Sequence, residues 1–268
     1  MRLNGDTSPY LLPTDVDEIN RLDIQHNIVR YVLRRSYLSP VRDFKRVLDV
    51  GCGTGIWSKE IARDHPKATV VGFDLVDVFF RTDAPPNCSF ELGNLLEGLP
   101  YPNGRFDFVH QRLLWAGIPG SYWQEHVKEL YRVTRPGGFL ELADTDLQFH
   151  NVGDAGYRVN SILMECCSRK GLHLSTARQL DKLMRRAGFS DLQARLVEFP
   201  VGEWAGVSGR MMRTNLDEAL RDLGKAAVAV GAVASESEYE QMLDTFWAEC
   251  EEHRTIIYGY YFYGQRPQ

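Results

Sequence analysis

A glycine-rich turn between an apolar strand and a helix constrains the fold of this chain more than any other feature. The turn reads Asp49-Val50-Gly51-Cys52-Gly53-Thr54-Gly55, after an apolar run at residues 46–50 and before a helical pattern at residues 56–64. Glycine permits a tight turn and lets a ligand approach the backbone, and the helix that follows offers free N–H groups. The third glycine comes one place too early for the dinucleotide fingerprint G-x-G-x-x-G, and the sequence has no G-x-x-x-x-G-K-[ST] phosphate loop. The pattern therefore predicts a ligand-binding turn of another kind.

Strand and helix patterns alternate beyond this turn. Further apolar runs lie at residues 68–73, 88–92, 106–110 and 139–143, and a helical pattern at residues 122–134 stops at Arg135-Pro136-Gly137-Gly138. Strands that alternate with helices through short connections indicate a parallel, doubly wound sheet. The remaining patterns predict strands at 192–201 and 256–262, and helices at 15–37 (Asp15 as N-cap), 155–170, 175–187 (Gly188 as C-cap), 210–230 and 236–253.

We therefore predict an α/β fold with a doubly wound, Rossmann-like sheet of seven strands. A helical cap precedes the sheet, and a helical insertion interrupts it before the last strand. The chain has no internal repeat and no second core, so we predict a single domain. Its parts are the cap (1–40), the ligand-binding core (41–202), the insertion (203–253) and the last strand (254–268).

Charge and cysteine content exclude several classes of protein. The net charge of -5 and the isoelectric point near 5.8 disfavour a nucleic-acid partner, which needs clustered positive charge. Five cysteines without a CxxC pair indicate reduced thiols and no metal site. The first residues carry no signal-peptide pattern, and the longest small-apolar stretch, residues 226–234, is too short to cross a membrane. These features predict a soluble, cytoplasmic protein that acts on a small molecule, and they leave its oligomeric state open, with a homodimer as one option.

Two carboxylates flank the glycine turn in ways that indicate the ligand. Asp49 comes two residues before Gly51, where a negative charge suits a ligand with positive charge and repels a pyrophosphate. Asp74 ends the second strand, 19 residues after Gly55. An acidic side chain at that place can accept hydrogen bonds from both hydroxyls of a ribose. The alternative for Asp74 is a plain turn residue at a strand end.

These motifs resemble a known family. Together they look like the successive motifs of class I S-adenosyl-L-methionine (SAM)-dependent methyltransferases, at residues 46–55, 72–74, 91–98, 106–107 and 135–138. The resemblance runs from about Lys45 to Ala143 and continues more loosely to the end. Further segments are similar to a subgroup linked to secondary metabolism in fungi and bacteria, namely residues 12–15, 21–22, 25–26 and 202–204.

The resemblance implies a set of residues that bind SAM. Asp49 and Gly51 correspond to the methionine end and Asp74 to the ribose, and Cys52, Gly53 and Gly55 belong to the same cofactor-binding loop. Leu75 and Leu95 would pack on the adenine. Asn94 stands where many members have Asp, and its amide can both accept from the adenine amino group and donate to a ring nitrogen; the alternative is a turn former. Gln25, with Arg21 as an alternative, would meet the SAM carboxylate if the N-terminal helix folds over the site, and an exposed helix face is the other interpretation. Gln111, at the carboxyl edge of the fourth strand, completes the predicted set.

His110 is the best candidate for a general base, because it ends the fourth strand at the edge where α/β proteins bind ligands. The alternative is a structural, hydrogen-bonded imidazole. Asp144, Asp146 and His150 are weaker candidates after the fifth strand. Four aromatic side chains lie in connections where they could line an apolar pocket: Trp115, Phe149, Tyr157 and Trp204.

The predicted function is methyl transfer from SAM to a small, apolar or aromatic, natural-product-like acceptor. The sequence lacks the (Asp/Asn)-Pro-Pro-(Tyr/Phe) signature after the fourth strand, which disfavours nucleic-acid and protein-glutamine acceptors. A SAM-binding regulator of metabolite production, or an enzyme that uses SAM without methyl transfer, stays open as an alternative. A nicotinamide-dependent oxidoreductase is a further alternative, against which the glycine spacing argues.

Overall fold

A computed structural model describes residues 16–78 and 84–268. The predicted N-cap Asp15 and the motif at residues 12–15 lie outside the described residues. None of the helices within these two ranges is both long and apolar enough to span a membrane.

A seven-stranded sheet organises the chain, with the strands in the order β3-β2-β1-β4-β5-β7-β6. The strands are β1 (Arg46–Val50), β2 (Thr69–Asp74), β3 (Cys88–Leu92), β4 (Phe106–Arg112), β5 (Thr134–His150), β6 (Ser190–Pro200) and β7 (Ile256–Gln265). All seven strands were predicted, and so was the Rossmann-like class. The sheet is mixed and not fully parallel, because β7 runs antiparallel to both β5 and β6.

The fifth strand is longer than predicted. It was expected at residues 139–143, but β5 covers Thr134–His150 because β7 offers a pairing partner well beyond Ala143. The two strands stay paired as far as His150, opposite Ile256, with an irregularity between Thr145 and Phe149. This pairing holds the polar carboxyl-terminal end of β5 in the sheet.

Eight helices are assigned within the described residues. They are α1 (Val16–Leu33), α2 (Ile56–Asp64), α3 (Trp123–Val133), α4 (Asp154–Arg169), α5 (Leu180–Ala187), α6 (Gly206–Arg221), α7 (Gly224–Ala229) and α8 (Glu236–His253). The predicted helix at 210–230 is two helices, α6 and α7, which meet at Asp222-Leu223. Gly188 caps α5 in the left-handed conformation, as predicted, with φ 110°.

Three apolar clusters hold these layers together. One packs α3 and α5 against one face of the sheet, and a second packs α2 against the opposite face through Trp57 and Ile61. The third cluster joins α4, α6, α7 and α8 to the ends of β5 and β7 and includes Ile28 and Val29 of α1. Because α1 and the inserted helices share one core, they form a common roof beside the carboxyl ends of β4 and β5.

Candidate functional site

The main cavity lies at the carboxyl ends of β1, β2 and β4, where α1 covers the glycine turn. This is the edge at which parallel α/β sheets bind ligands. Ten residues that the sequence placed in the site line this cavity: Gln25, Asp49, Gly51, Cys52, Gly53, Asp74, Leu75, Asn94, Leu95 and His110. Gly55 and Gln111 are not among the described residues of its wall.

The glycine turn is built from left-handed backbone. Gly51 has φ 68° and Gly55 has φ 73°, a conformation that side-chain-bearing residues adopt at a cost. A Cβ on Gly51 would lie 2.7 Å from the Leu114 side chain, on the cavity wall. A Cβ on Gly55 would collide with the ring of Phe90 in β3, so Gly55 is required for packing behind the cavity and for the start of α2.

Asp74 closes the turn from the end of β2. Its Oδ2 accepts a hydrogen bond from the Gly53 N–H at 2.8 Å, and its Oδ1 accepts one from the Val76 N–H at 3.1 Å. Burial raises the pKa of this carboxyl above its usual range, and the backbone N–H donors partly offset that effect. Each carboxylate oxygen can accept more than one hydrogen bond, so Asp74 retains capacity toward hydroxyl groups in the cavity.

Asn94 is a turn former, which is one of the two roles that the sequence left open, and it also lies in the wall of the cavity. It caps the short helical turn Leu95–Glu97 by accepting a hydrogen bond from the Leu96 N–H at 3.0 Å, and it lines the cavity. Its Nδ2 donates to Glu97 at 3.2 Å. Leu95 lies beside it, and the side chain of Leu75 is 55% exposed, so this end of the cavity offers apolar surface that a flat ring could cover.

His110 is held in one orientation at the floor of the cavity. Its Nδ1 lies 3.0 Å from Asp49 Oδ1, and Asp49 Oδ2 accepts a hydrogen bond from the Ser58 hydroxyl at 2.6 Å. The Trp57 ring stacks on the imidazole with centroids 3.7 Å apart. Burial lowers the pKa of His110 below its usual value, against the opposing effect of Asp49. A neutral imidazole that donates from Nδ1 to Asp49 leaves Nε2 as an acceptor.

Gln111 lies on the opposite face of β4, and its predicted place in the ligand site is not supported. Successive side chains of a strand point to opposite faces. The Gln111 carboxamide oxygen therefore meets His126 Nε2 of α3, in a pair that is fully buried. Burial lowers the pKa of His126 to about 3, so this imidazole is a neutral donor.

The helix α1 is tied to the glycine turn and to α2. The Thr54 hydroxyl donates to Asp23 at 2.6 Å, and His26 Nε2 lies 3.0 Å from Glu60. Arg112 donates to the other nitrogen of His26 at 3.0 Å and lines the cavity. Neither His26 nor Arg112 was predicted to have a role in the site, although Arg112 follows His110 by two residues and therefore shares its face of β4.

A second cavity adjoins the first. We call it the apolar pocket; it comprises two adjoining recesses that share Gln25, Leu113, Thr145, Leu147, Asn215 and Leu216. Gln25 and Leu113 also line the main cavity, so the two cavities meet there. Leu113 and Leu147 have positive φ values of 55° and 47°, an uncommon conformation that is found preferentially at functional sites.

The weaker candidates for site residues lie in different parts of the structure. Trp115 and Phe149 line the apolar pocket as predicted, and Asp144 lines it too. Tyr157 is 65% exposed, and Trp204 donates to the Val201 carbonyl away from these cavities. Asp146 pairs with Arg178 and the Tyr260 hydroxyl, and His150 packs on Tyr258.

Comparisons with known proteins bear on the family of this chain. A family model described as a methyltransferase domain matches residues 21–194. Methyltransferase pytC of Aspergillus terreus is 30% identical over 227 residues, which cover 78% of this chain and 68% of pytC. Secondary metabolism regulator laeA of Coprinopsis cinerea is 36% identical over 175 residues, which cover 62% of this chain and only 39% of the length of laeA.

Solved structures agree on the fold. Phosphoethanolamine N-methyltransferase 2 of Haemonchus contortus, in complex with S-adenosylhomocysteine, superposes with a TM-score of 0.52 at 16% identity. The match covers 97% of this chain and 55% of that protein. At this identity the likeness concerns the fold alone.

Proposed function

The chain belongs to the class I SAM-dependent methyltransferases, and from that premise we propose that it methylates a small, largely apolar acceptor bound in the apolar pocket. The observation that carries the proposal is the junction of the two cavities at Gln25 and Leu113. One cavity has the features of a SAM site, and the other offers a mostly apolar recess beside it. Methyl transfer needs the donor and the acceptor side by side.

The residues of the main cavity fit SAM in chemistry as well as in position. The glycine turn presents backbone without a Cβ at Gly51, and Asp74 offers carboxylate oxygens to ribose hydroxyls. Leu75 and Leu95 supply apolar surface for the adenine, beside the Asn94 amide. When bound, SAM supplies a methyl group activated by a positively charged sulfonium. Asp49 places a negative charge on the same wall.

His110 is proposed to orient the acceptor or to take its proton. Asp49 holds Nδ1, so the second nitrogen, Nε2, is the one with the capacity to accept. Burial lowers the pKa of this imidazole below its usual value, which favours the neutral form that a proton acceptor needs. Trp57 stacks on the ring and fixes its plane, so little reorientation is required.

The apolar pocket is proposed to hold the acceptor because its walls are chiefly apolar, with leucine and aromatic side chains from α1, α4, α6 and the strands β5, β6 and β7. Apolar surface of this kind binds ligands by the hydrophobic effect, while a few polar groups fix their orientation. The relation to pytC, a methyltransferase, and to a regulator of secondary metabolism supports a natural-product-like acceptor.

Isotope-labelled SAM tests the proposal. The protein is incubated with SAM that carries a trideuterated methyl group and with a small-molecule extract of the organism that encodes it. We expect S-adenosylhomocysteine to form together with an extract component whose mass rises by that of the labelled methyl. Asp74→Ala, folded but impaired in SAM binding, is the matched control. Formation of neither product by the wild-type protein, under conditions in which it binds SAM, would contradict the proposal.

A second candidate function is a SAM-binding regulator of secondary metabolism. The similarity to laeA favours it. The same experiment separates the two candidates, because a regulator that only binds SAM yields no labelled small molecule. The incubation is repeated with a whole-cell extract, which also offers macromolecular acceptors. A labelled macromolecule without a labelled small molecule would then favour the regulator and contradict the small-molecule proposal.

A further inference from the structure

Two carboxamide side chains in the apolar pocket have unused hydrogen-bonding capacity. Asn215 of α6 is only 2% exposed, and its Nδ2 donates to the Arg21 carbonyl of α1 at 3.0 Å. A carbonyl oxygen can only accept, so this bond fixes the orientation of the amide and leaves Oδ1 as the acceptor. Within residues 16–78 and 84–268, neither Asn215 Oδ1 nor the Gln25 amide has a hydrogen-bond partner.

The free Asn215 oxygen lies in largely apolar surroundings, where a ligand that fills the pocket would cover it. Its neighbours in the pocket wall include Leu147, Leu216 and Phe149. A polar atom in such surroundings costs free energy unless a partner satisfies it. Two nearby side chains already have partners in the protein, since Asp144 accepts from the Leu114 and Thr145 N–H groups and the Thr145 hydroxyl accepts from the Leu147 N–H. Asn215 Oδ1 and the Gln25 amide are therefore the carboxamide groups with free capacity that a ligand in this pocket would meet, and Asn215 is the more deeply buried of the two.

We propose that Asn215 determines acceptor specificity: its Oδ1 accepts a hydrogen bond from a hydroxyl or N–H group on an otherwise apolar acceptor. This inference rests on the proposed function and narrows its substrate class. An acceptor of this class carries a donor group that enters the pocket, in addition to the atom that receives the methyl group. Purely apolar molecules of the same shape bind less well than their size predicts, because they leave Oδ1 unpaired.

Asn215 also has a structural role, and the test must distinguish this role from the hydrogen bond to the acceptor molecule. Its bond to Arg21 joins α6 to α1, so its loss could loosen the roof of the site. Looser packing would weaken the binding of every ligand in the pocket by a similar factor. Only the loss of a specific acceptor changes the ratio between two ligands that differ by a single donor group.

The experiment compares two probes of the same shape, 2-naphthol and 2-methylnaphthalene, in which a hydroxyl replaces a methyl of similar size. Kd values are measured by competition fluorescence on protein saturated with S-adenosylhomocysteine. In Asn215→Leu, which has a similar volume without the acceptor, we expect the ratio of the two Kd values to shift about tenfold in favour of 2-methylnaphthalene. Asn215→Asp keeps an acceptor oxygen and should retain the wild-type ratio to within about twofold. Leu216→Met, in the same wall, is the matched control and should leave the ratio unchanged.

The outcomes separate this inference from the proposed function. Binding of both probes with an unchanged ratio in Asn215→Leu overturns the role of Asn215 and leaves the apolar pocket as the acceptor site. Equal shifts in Asn215→Leu and Asn215→Asp assign Asn215 to structure alone and also overturn it. Binding of neither probe by wild-type protein that binds S-adenosylhomocysteine overturns the pocket assignment, and with it the proposed function. If Asn215→Leu does not fold, Asn215→Ala replaces it with the same expected shift.

Discussion

Contacts on two sides hold the ring of His110 in the main cavity. A carboxylate holds one ring nitrogen and an indole covers one face of the ring. A fixed tautomer suits a general base as well as a structural imidazole, and rate and pH dependence distinguish the two roles.

Replacing His110 with Ala is expected to lower kcat by about 10²–10⁴ if the imidazole takes a proton, with SAM affinity nearly unchanged. Because burial lowers the pKa of His110, the acid limb of the wild-type pH–rate profile should lie below the usual histidine value of about 6.5. That limb should vanish in the variant. A stably folded variant with near-normal kcat on the identified acceptor would exclude a catalytic role.

Asp74→Ala is expected to weaken SAM binding by about 1–3 kcal/mol, the range for lost charge-assisted hydrogen bonds. Asp77 lies three residues later on the same loop and is exposed, so Asp77→Ala is the matched control and should bind SAM like the wild type. Titration calorimetry measures both. Equal affinities for the two variants would remove Asp74 from the SAM site. The Asp74 bonds to Gly53 and Val76 also require a melting curve, to show that the variant is folded.

At the scale of elements, sequence patterns predicted the strands, turns and helices whose structure depends on residues close together in the chain. The strand β1, the glycine turn and α2 follow from residues close together in the chain, and all three appear with the expected bounds. The length of β5 could not be predicted, because its second half pairs with β7 more than a hundred residues away. Gln111 follows His110 directly, and successive side chains of a strand point to opposite faces. The sequence could therefore have predicted that Gln111 points away from the site.

The roof of the site was only partly predictable for the same reason. A helical pattern predicts α1, but it does not say that Asp23 meets Thr54 or that Arg21 meets Asn215. The second of these contacts joins residues 194 positions apart. The apolar pocket depends on such contacts between residues far apart in the chain. The sequence therefore predicted an apolar acceptor, but it did not predict which residues form the walls of the pocket.

Two glycines form a matched pair for substitution: Gly55 in the glycine turn and Gly171, which follows α4. Gly55 and Gly171 have nearly the same φ, 73° and 71°, but a Cβ on Gly55 collides with Phe90 whereas a Cβ on Gly171 meets nothing within 4 Å. Gly171→Ala should lose about 1–2 kcal/mol of folding free energy, the cost of the left-handed backbone alone. Gly55→Ala should lose a further 1–3 kcal/mol or so from overpacking. Urea unfolding measures both, and equal losses would show that Phe90 moves aside freely.

At the scale of the whole molecule, one buried carboxyl joins the roof to the sheet. Glu141 of β5 is 1% exposed, and its Oε2 accepts hydrogen bonds from the Leu38 and Ser39 N–H groups at 2.8 and 2.5 Å. These residues follow α1, so Glu141 fixes the place where the roof helix returns to the core. Burial raises the pKa of Glu141 to about 7, although the two N–H donors and Arg112 oppose the shift.

A raised pKa makes this group's contribution to stability depend on pH. Below about pH 4.3, the usual value for Glu, the carboxyl is protonated in both the folded and the unfolded chain. As the pH rises toward 7, the unfolded chain loses this proton first, so unfolding becomes more favourable. Above the folded pKa both states are ionised and the penalty is constant, on the order of 3 kcal/mol. Asp144, whose pKa burial also raises to about 7, acts in the same direction.

Glu141→Gln removes this titration and keeps a carbonyl oxygen to accept from Leu38 and Ser39. Relative to the wild type, the variant should therefore gain about 1–3 kcal/mol of unfolding free energy between pH 4.5 and pH 8. Urea unfolding at half-unit pH steps measures the difference, and subtraction of the two curves cancels the titrations of Asp144 and His126, which both proteins share. Glu125 of α3 has a side chain that is 59% exposed, so Glu125→Gln is the matched control and should change the unfolding free energy by no more than about 0.5 kcal/mol. Parallel stability curves for wild type and Glu141→Gln would mean that Glu141 is ionised in the folded protein across this range, and that its bonds to the returning chain do not depend on its protonation.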